Sequence, residues 1–350
     1  APLRAPDPQF GSLAVRSRRL SKTGAPFFPP IAYSSVVCPY PPRASSMKAI
    51  RLHRIGDPDV LELQDATRPD PGAGQVLLKV EAIGVNFVEI YQRTGLYRLT
   101  LPVTAGSEAA GTVEQVGESV TRVRVGDRIG SVDALGAYAE YALVRADRAV
   151  KLPAKVSTRQ AAAVLLQGLT AHYLTTSTCK LTSGDTCLLH AAAGGTGLLL
   201  CQMARRLGAR VIGTVSTEEK ATVAREAGAD DVVLYTKEDF VVATKRLTGG
   251  AGVRVVYDSV GRTTFLKGLD CLARRGMMVL FGQSSGTVDP MDPLLLSQKG
   301  SLTLTPPQLG DYIAAPEEVQ ARAAELLGWV ADGTLSVRIG AEFPLAKAAE

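Results

Sequence analysis

Between residues 186 and 282 the chain alternates short apolar runs with longer helix-patterned ones, and few folds accommodate that rhythm. "TCLLHA" (186–191) precedes "TGLLLCQMARRLG" (196–208), "ARVIGTV" (209–215) precedes "TEEKATVAREAG" (217–228), and "DVVLY" (231–235) precedes "EDFVVATKRLTGG" (238–250). "VRVVYDSV" (253–260) then precedes "TTFLKGLDCLARRG" (263–276), and "MMVLFG" (277–282) closes the series. Strands that are apolar on both faces need cover on both faces, and the intervening helices supply it. The pattern predicts an α/β fold with a doubly wound parallel sheet.

At the first strand-to-helix join stands "HAAAGGTG" (190–197). Ala192, Gly194 and Gly197 take the small-residue positions of a G-x-G-x-x-G turn, and Gly195 adds a further glycine. Residues without bulk let the backbone approach a pyrophosphate, while the helix start offers N–H groups and partial positive charge. An NAD site puts an acid about 20 residues on, at the end of the second strand, to hold the ribose 2′-OH. Here that strand ends in Ser216–Thr217, with Glu218 and Glu219 following and Lys220 one helical turn in. Small hydroxyls and a cation suit a 2′-phosphate, so NADPH is expected over NADH.

Residues 47–168 read differently. "QVLLKVEAIGV" (75–85), "AAGTVEQVG" (109–117) and "AYAEYALVR" (137–145) are strand-like runs bounded by turns such as "PDPGAG" (69–74). One helical stretch, "NFVEIYQRTG" (86–95), interrupts them. Closely spaced short strands predict a barrel-like β domain. The expected organisation is a β-rich domain over 47–168, a cofactor domain over 169–311, and a return to the first domain over 312–350. "FPLAKAAE" (343–350) reads as a helix cut in its first turn, so a further helix and strand are expected beyond it.

Composition sharpens this picture in one place. Of the 39 Lys and Arg and 34 Asp and Glu, six bases and only Asp7 fall in residues 1–46, which leaves 33 of each sign for the body. A balanced body carries no footprint for nucleic acid or anionic membrane. The Pro-, Ser- and Arg-rich residues 1–46 read either as a transit-like leader, implying chloroplast or mitochondrion, or as sequence ahead of a start at Met47 in a cytoplasmic protein. Five cysteines (Cys38, Cys179, Cys187, Cys201 and Cys271) show no C-x-x-C spacing, which suits a reducing compartment.

The stretches "EAIGVNFVEIYQRTGLY", "LPVTAGSEAAGTVEQVG", "GAYAEY", "LLQGLTAHYL", "HAAAGGTG", "VRVVYDSVGR" and "MVLFGQSSG" together resemble the quinone oxidoreductase (zeta-crystallin-like) branch of the medium-chain dehydrogenase/reductase superfamily. The resemblance runs from Met47 to the end; Thr196, where the branch usually has Val, is a departure within the phosphate turn. It implies a GroES-like domain joined to a Rossmann domain, NADPH as cofactor, and reduction of quinones by hydride transfer. It places Asn86, Tyr91 and Tyr97 at the catalytic cleft. It places Asn86, Thr170, Ala193, Gly194, Gly195, Thr196, Ser216, Lys220, Tyr235, Ser259, Phe281 and Ser284 along the cofactor, with a further arginine beyond Glu350. It also implies a homodimer formed through "MVLFGQSSG" and "SLTLTPP" (301–307).

Residues argue against a metal. Zinc-dependent relatives carry G-H-E where this chain reads Gly106–Ser107–Glu108, no Cys lies between 38 and 179, and His53, His172 and His190 are widely separated. Quinones and enones are already electrophilic, so hydrogen-bond donors can replace a Lewis acid. The alternatives are an alkenal or enone reductase of the same fold, an enoyl-thioester reductase, and a non-catalytic NADPH- or RNA-binding relative.

Overall fold

The computed structural model describes residues 46–350. The expectations for residues 1–45 and for Cys38 lie outside them. Strands β1 (Ser46–Leu52), β2 (Glu62–Thr67), β3 (Gln75–Ile83), β4 (Val103–Thr104), β5 (Ala109–Val116), β6 (Arg128–Ser131), β7 (Tyr141–Arg145) and β8 (Val150–Lys151) build two antiparallel sheets. Their orders are β2-β1-β4 and β7-β3-β5-β6-β8. Val76 and Leu78 of β3, Val113 of β5, Ile129 of β6 and Ala142 and Val144 of β7 close the larger sheet over one core. The run expected as one strand over 137–145 divides. Ala137–Glu140 crosses to the smaller sheet, where Ile50 N–H donates to Tyr138 O and Glu140 N–H to Lys48 O; Tyr141–Arg145 pairs with β3, and Glu140 O, at the join, accepts from Val80 N–H. Backbone pairing to two sheets thus overrides a continuous apolar pattern. Helix α1 (Phe87–Arg93) follows β3.

Helix α2 (Thr158–Tyr173) leads out of these sheets, started by Ser157, whose side chain accepts from Gln160 N–H. It runs unbroken across 168 and 169, with Thr170 in its last turn, and a π turn over Leu174–Thr178 extends it.

The six-stranded sheet follows. It comprises β9 (Thr186–Leu189), β10 (Arg210–Val215), β11 (Asp231–Leu234), β12 (Val253–Asp258), β13 (Leu272–Leu280) and β14 (Thr303–Thr305), all parallel, in the order β11-β10-β9-β12-β13-β14. Its helices are α3 (Gly195–Arg206), α4 (Glu218–Glu226), α5 (Phe240–Leu247) and α6 (Phe265–Leu269), with α7 (Leu294–Gln298) ahead of β14. Successive strand residues point to opposite faces, so both must be apolar. Leu189, Val211 and Val255 join Leu199 and Met203 of α3 on one face, while Leu188, Ile212 and Val256 join Phe240 and Phe265 on the other.

The helix expected over 263–276 ends at Leu269. Cys271 O accepts from Val253 N–H, and Leu272 pairs with Val253 before a four-residue excursion brings Met277 opposite Val255. Arg275 sits there at φ +62°, with its N–H on Gly300 O. Pairing with β12, invisible to a local helical period, claims these residues.

Beyond α8 (Leu309–Tyr312), α9 (Pro316–Ala331) buries Val319, Ala323, Leu326 and Leu327, and Gln320 Nε2 donates to Ala149 O beside β8. The last residues form a 3-10 turn, Leu345–Lys347, rather than the first turn of an α-helix, and Leu345 and Ala348 pack on Ile50, Leu52 and Val60. Among the described residues no helix is long and apolar enough to cross a membrane.

Candidate active site

The order of the parallel sheet reverses between β9 and β12, and in such sheets the crevice beyond the strands' carboxyl ends is where ligands sit. The turn after β9 is shaped by sterics. Ala191 takes φ +53°, and a Cβ on Gly197 would fall 2.4 Å from Ala191 O, so only glycine lets α3 start this close to the strand. Ala192 is sealed beneath the turn, Ala193 and Thr196 are half-buried, and Gly194 and Gly195 lie exposed on its outer surface. The first N–H groups of α3 have no carbonyl in a preceding turn, so the turn is a cradle for anionic oxygen.

At the end of β10 Lys220 Nζ donates to Ser216 Oγ at 3.2 Å, while Glu218 is engaged by Lys237 at 2.9 Å. Tyr235 is exposed just past β11, its N–H on Val215 O. Ser216, Lys220 and Tyr235 therefore sit on neighbouring strand ends, two strands being enough to gather them. Past β12 and β13, Phe281 N–H donates to Asp258 O and Ser284 N–H to Ser259 O, tying these two loops together. Thr170 is half-buried, its hydroxyl turned back on Leu166 O at 2.8 Å.

Helix α1 grips this edge at two points. Asn86, its N-cap, is 6% exposed; its N–H donates to Glu89 Oε2 at 3.0 Å, its Nδ2 donates to Glu108 Oε2 at 2.6 Å, and its Oδ1 accepts from Gln167 Nε2 at 3.1 Å. Gln167 Oε1 in turn lies over the phosphate turn, 1.9 Å from where a Cβ on Gly195 would stand. Further along α1, the Tyr91 hydroxyl accepts from Gln283 N–H at 2.8 Å. Tyr97 stands edge-on to Tyr91, ring centroids 5.2 Å apart, and is 42% exposed. Since its oxygen accepts, Tyr91 keeps its own proton to donate; burial pushes its pKa up, against the Gln283 N–H, which lowers it.

Two acids expected nowhere in the site lie behind Asn86. Burial raises Glu89, whose Oε1 accepts from Ser107 Oγ at 2.7 Å. Burial also pushes Glu108 up to about 8, despite hydrogen bonds from Asn86 and Leu166 N–H. The Tyr138 phenol is raised in turn, mainly by its own burial and then by these two carboxyls. The signal for Glu108 was an acid leading into the apolar strand "AAGTV", and for Gln167 a lone amide in "LLQGL". The three histidines are engaged in the fold: His53 with Gln64, His172 with Glu325, and His190 with Thr214.

Two family models match this chain: the alcohol dehydrogenase GroES-like domain over residues 72–154 and the zinc-binding dehydrogenase model over 195–327. A quinone oxidoreductase of Pseudomonas aeruginosa is 46% identical over 304 residues, 86% of this chain and 94% of that protein. The chain belongs to the quinone oxidoreductase branch of the medium-chain dehydrogenase/reductase superfamily. The crystal structure of Escherichia coli quinone oxidoreductase complexed with NADPH matches with TM-score 0.84 and 46% identity, covering 86% of this chain and 94% of that one. A 2-haloacrylate reductase of Burkholderia is 41% identical over 306 residues, 85% of this chain and 92% of that protein. The GroES-like and Rossmann-type folds expected from sequence are thereby the folds present.

Proposed function

We propose that this chain is an NADPH-dependent, zinc-free reductase of quinones, and the observation that carries the reading is the union at one strand edge of a glycine cradle, a Ser216–Lys220 pair and a tyrosine with a proton to donate. When bound, NADPH supplies a hydride from its nicotinamide C4, which with one proton converts a quinone to a hydroquinone. Gly194, Gly195, Thr196 and Ala193 would receive the pyrophosphate, with Ser259, Phe281 and Ser284 beside it. Ser216, Lys220 and Tyr235 would receive the adenosine end, where Lys220 meets the 2′-phosphate. Asn86 keeps one Nδ2 proton and one Oδ1 lone pair for the nicotinamide end, and Thr170 lies on the same face of α2 as Leu166. Tyr91 and Tyr97 would flank the quinone, offering ring faces and O–H donors to the developing oxyanion.

The zinc-free reading is supported by Ser107, which stands where zinc-dependent relatives carry His and donates to Glu89. The Cys179, Cys187, Cys201 and Cys271 thiols are buried, and burial pushes each up, which keeps them un-ionised. A homodimer through the edge beside β14 belongs to the same reading, supported by that strand's pairing, among the described residues, with β13 alone; a monomer mass in sedimentation would overturn it. The 2-haloacrylate reductase favours a second reading, in which a conjugated carbonyl is the acceptor. Steady-state NADPH turnover on a benzoquinone and on an unsaturated ketone separates the two: the quinone should show the larger kcat/KM, and the reverse order would hand the site to enones.

A further inference from the structure

We propose that Gln167 is a positioning residue that fixes the orientation of the Asn86 amide and couples it to the glycine turn. The inference rests on the NADPH reading of the same site. Its basis is a ring of three hydrogen bonds, closed through α2, that all run toward Glu108. Leu166 N–H donates to Glu108 Oε1 at 2.7 Å, Asn86 Nδ2 donates to Glu108 Oε2 at 2.6 Å, and Gln167 Nε2 donates to Asn86 Oδ1 at 3.1 Å. Leu166 and Gln167 are adjacent on α2, so the ring begins and ends on one rigid helix. Glu108 accepts at both oxygens, from Leu166 N–H and from Asn86 Nδ2, so Asn86 turns its NH2 to Glu108 and its carbonyl to Gln167. Gln167 must then present its own NH2 to Asn86, which leaves its carbonyl oxygen over Gly195. There a Cβ on Gly195 would stand 1.9 Å from that oxygen, so a side chain at 195 would push the Gln167 amide out of this position. One side chain thus ties the residue for the nicotinamide end to the turn for the pyrophosphate. A leucine or methionine could fill the space but could not set the direction of the ring.

The test exploits that direction. Gln167→Glu keeps the shape and, when ionised, faces Asn86 Oδ1 with an acceptor; when protonated it can donate as the amide does. The titratable groups facing this point are Glu89 on α1 and Glu108 ahead of β5, with the Tyr138 phenol behind them. The phosphate turn on the other side brings Gly194, Gly195 and Thr196, none of which ionises. Two acidic neighbours and burial should raise the introduced carboxyl, so it regains its proton in mild acid. Gln167→Met removes the donor at every pH and is the control if the charged variant folds poorly. NADPH affinity is read by nicotinamide fluorescence at pH 5.5 and pH 8, each variant against wild type at the same pH, with Gln167→Met showing how much of any pH dependence comes from Glu108 alone.

Loss of a hydrogen bond that orients a buried amide is worth about tenfold in affinity. Gln167→Met should therefore bind NADPH about tenfold more weakly at both pH values. Gln167→Glu should match that loss at pH 8 and return to within about threefold of wild type at pH 5.5. Affinities within twofold of wild type for both variants, or an equal deficit for Gln167→Glu at both pH values, would overturn the proposal. Wild-type protein that fails to bind NADPH would instead overturn the cofactor reading beneath it.

Discussion

Glu108 holds a carboxyl where burial outweighs two hydrogen bonds, and that imbalance should be measurable. The folded state keeps a proton up to about pH 8, whereas an ordinary glutamate releases it near 4.5. Between those values the folded state binds more protons than the unfolded one, so stability falls as pH rises, by up to about 1.4 kcal/mol per unit. Glu89, raised for the same reason, adds to the same slope. Replacing Glu108→Gln should flatten the decline in melting temperature between pH 5 and 8; an unchanged slope in thermal unfolding would show that Glu108 titrates normally. The two tyrosines divide along a different line. Tyr91→Phe removes a hydroxyl that Gln283 N–H uses and that would donate to the oxyanion, so kcat should fall roughly 5–150-fold, about 1–3 kcal/mol. Tyr97→Phe, at a half-exposed ring, should cost less, and enone turnover should suffer more than quinone turnover in both, because an enolate is the stronger base. Losses under twofold on both substrates and both variants would reduce these tyrosines to scaffold. Asn86 and the tyrosines were legible in the sequence only through resemblance to a family, since an amide and two phenols have no spacing rule of their own. Glu108 and Gln167 were missed because what makes them matter, each other and Asn86, lies 22 to 81 residues away along the chain.

Among the elements, the end of β10 and the start of α4 decide which dinucleotide is welcome. Thr217 caps α4 by accepting Lys220 N–H, which sets the first turn so that the Lys220 ammonium reaches back to Ser216. Lys220→Glu should place a like charge by the 2′-phosphate and lower NADPH affinity about 5–150-fold, roughly 1–3 kcal/mol, with NADH affinity barely changed. Equal losses for both cofactors in fluorescence titrations would remove Lys220 from the phosphate site. The period of the parallel sheet was plain in the sequence because strands buried on both faces have nowhere to hide a polar residue. It misled only where pairing with a distant partner took over. "LARRG" has a helical apolar spacing, yet Leu272 is held by Val253, and Ala137–Glu140 looks like the start of β7 but belongs to β1. The continuity of α2 across both sheet systems was equally invisible, because a helix that packs on two partners carries one uninterrupted apolar pattern.

At the scale of the molecule, a body with equal numbers of acids and bases gathers two buried carboxyls, a pair of amides and a bare glycine turn close together. That concentration is what a small-molecule reductase needs, since a neutral quinone asks for orientation and donors rather than long-range attraction. On the function proposed, this site passes hydride from NADPH to a quinone without a metal. Its most direct test is the rate of NADPH oxidation by 1,4-benzoquinone on protein dialysed exhaustively against a chelator, with NADH run in parallel. Turnover should be undiminished by dialysis, with less than about one zinc per ten chains by elemental analysis and at least about tenfold lower kcat/KM for NADH, the equivalent of roughly 1.4 kcal/mol. Activity that vanishes on dialysis and returns with zinc, or NADH used at least as well as NADPH, would contradict it.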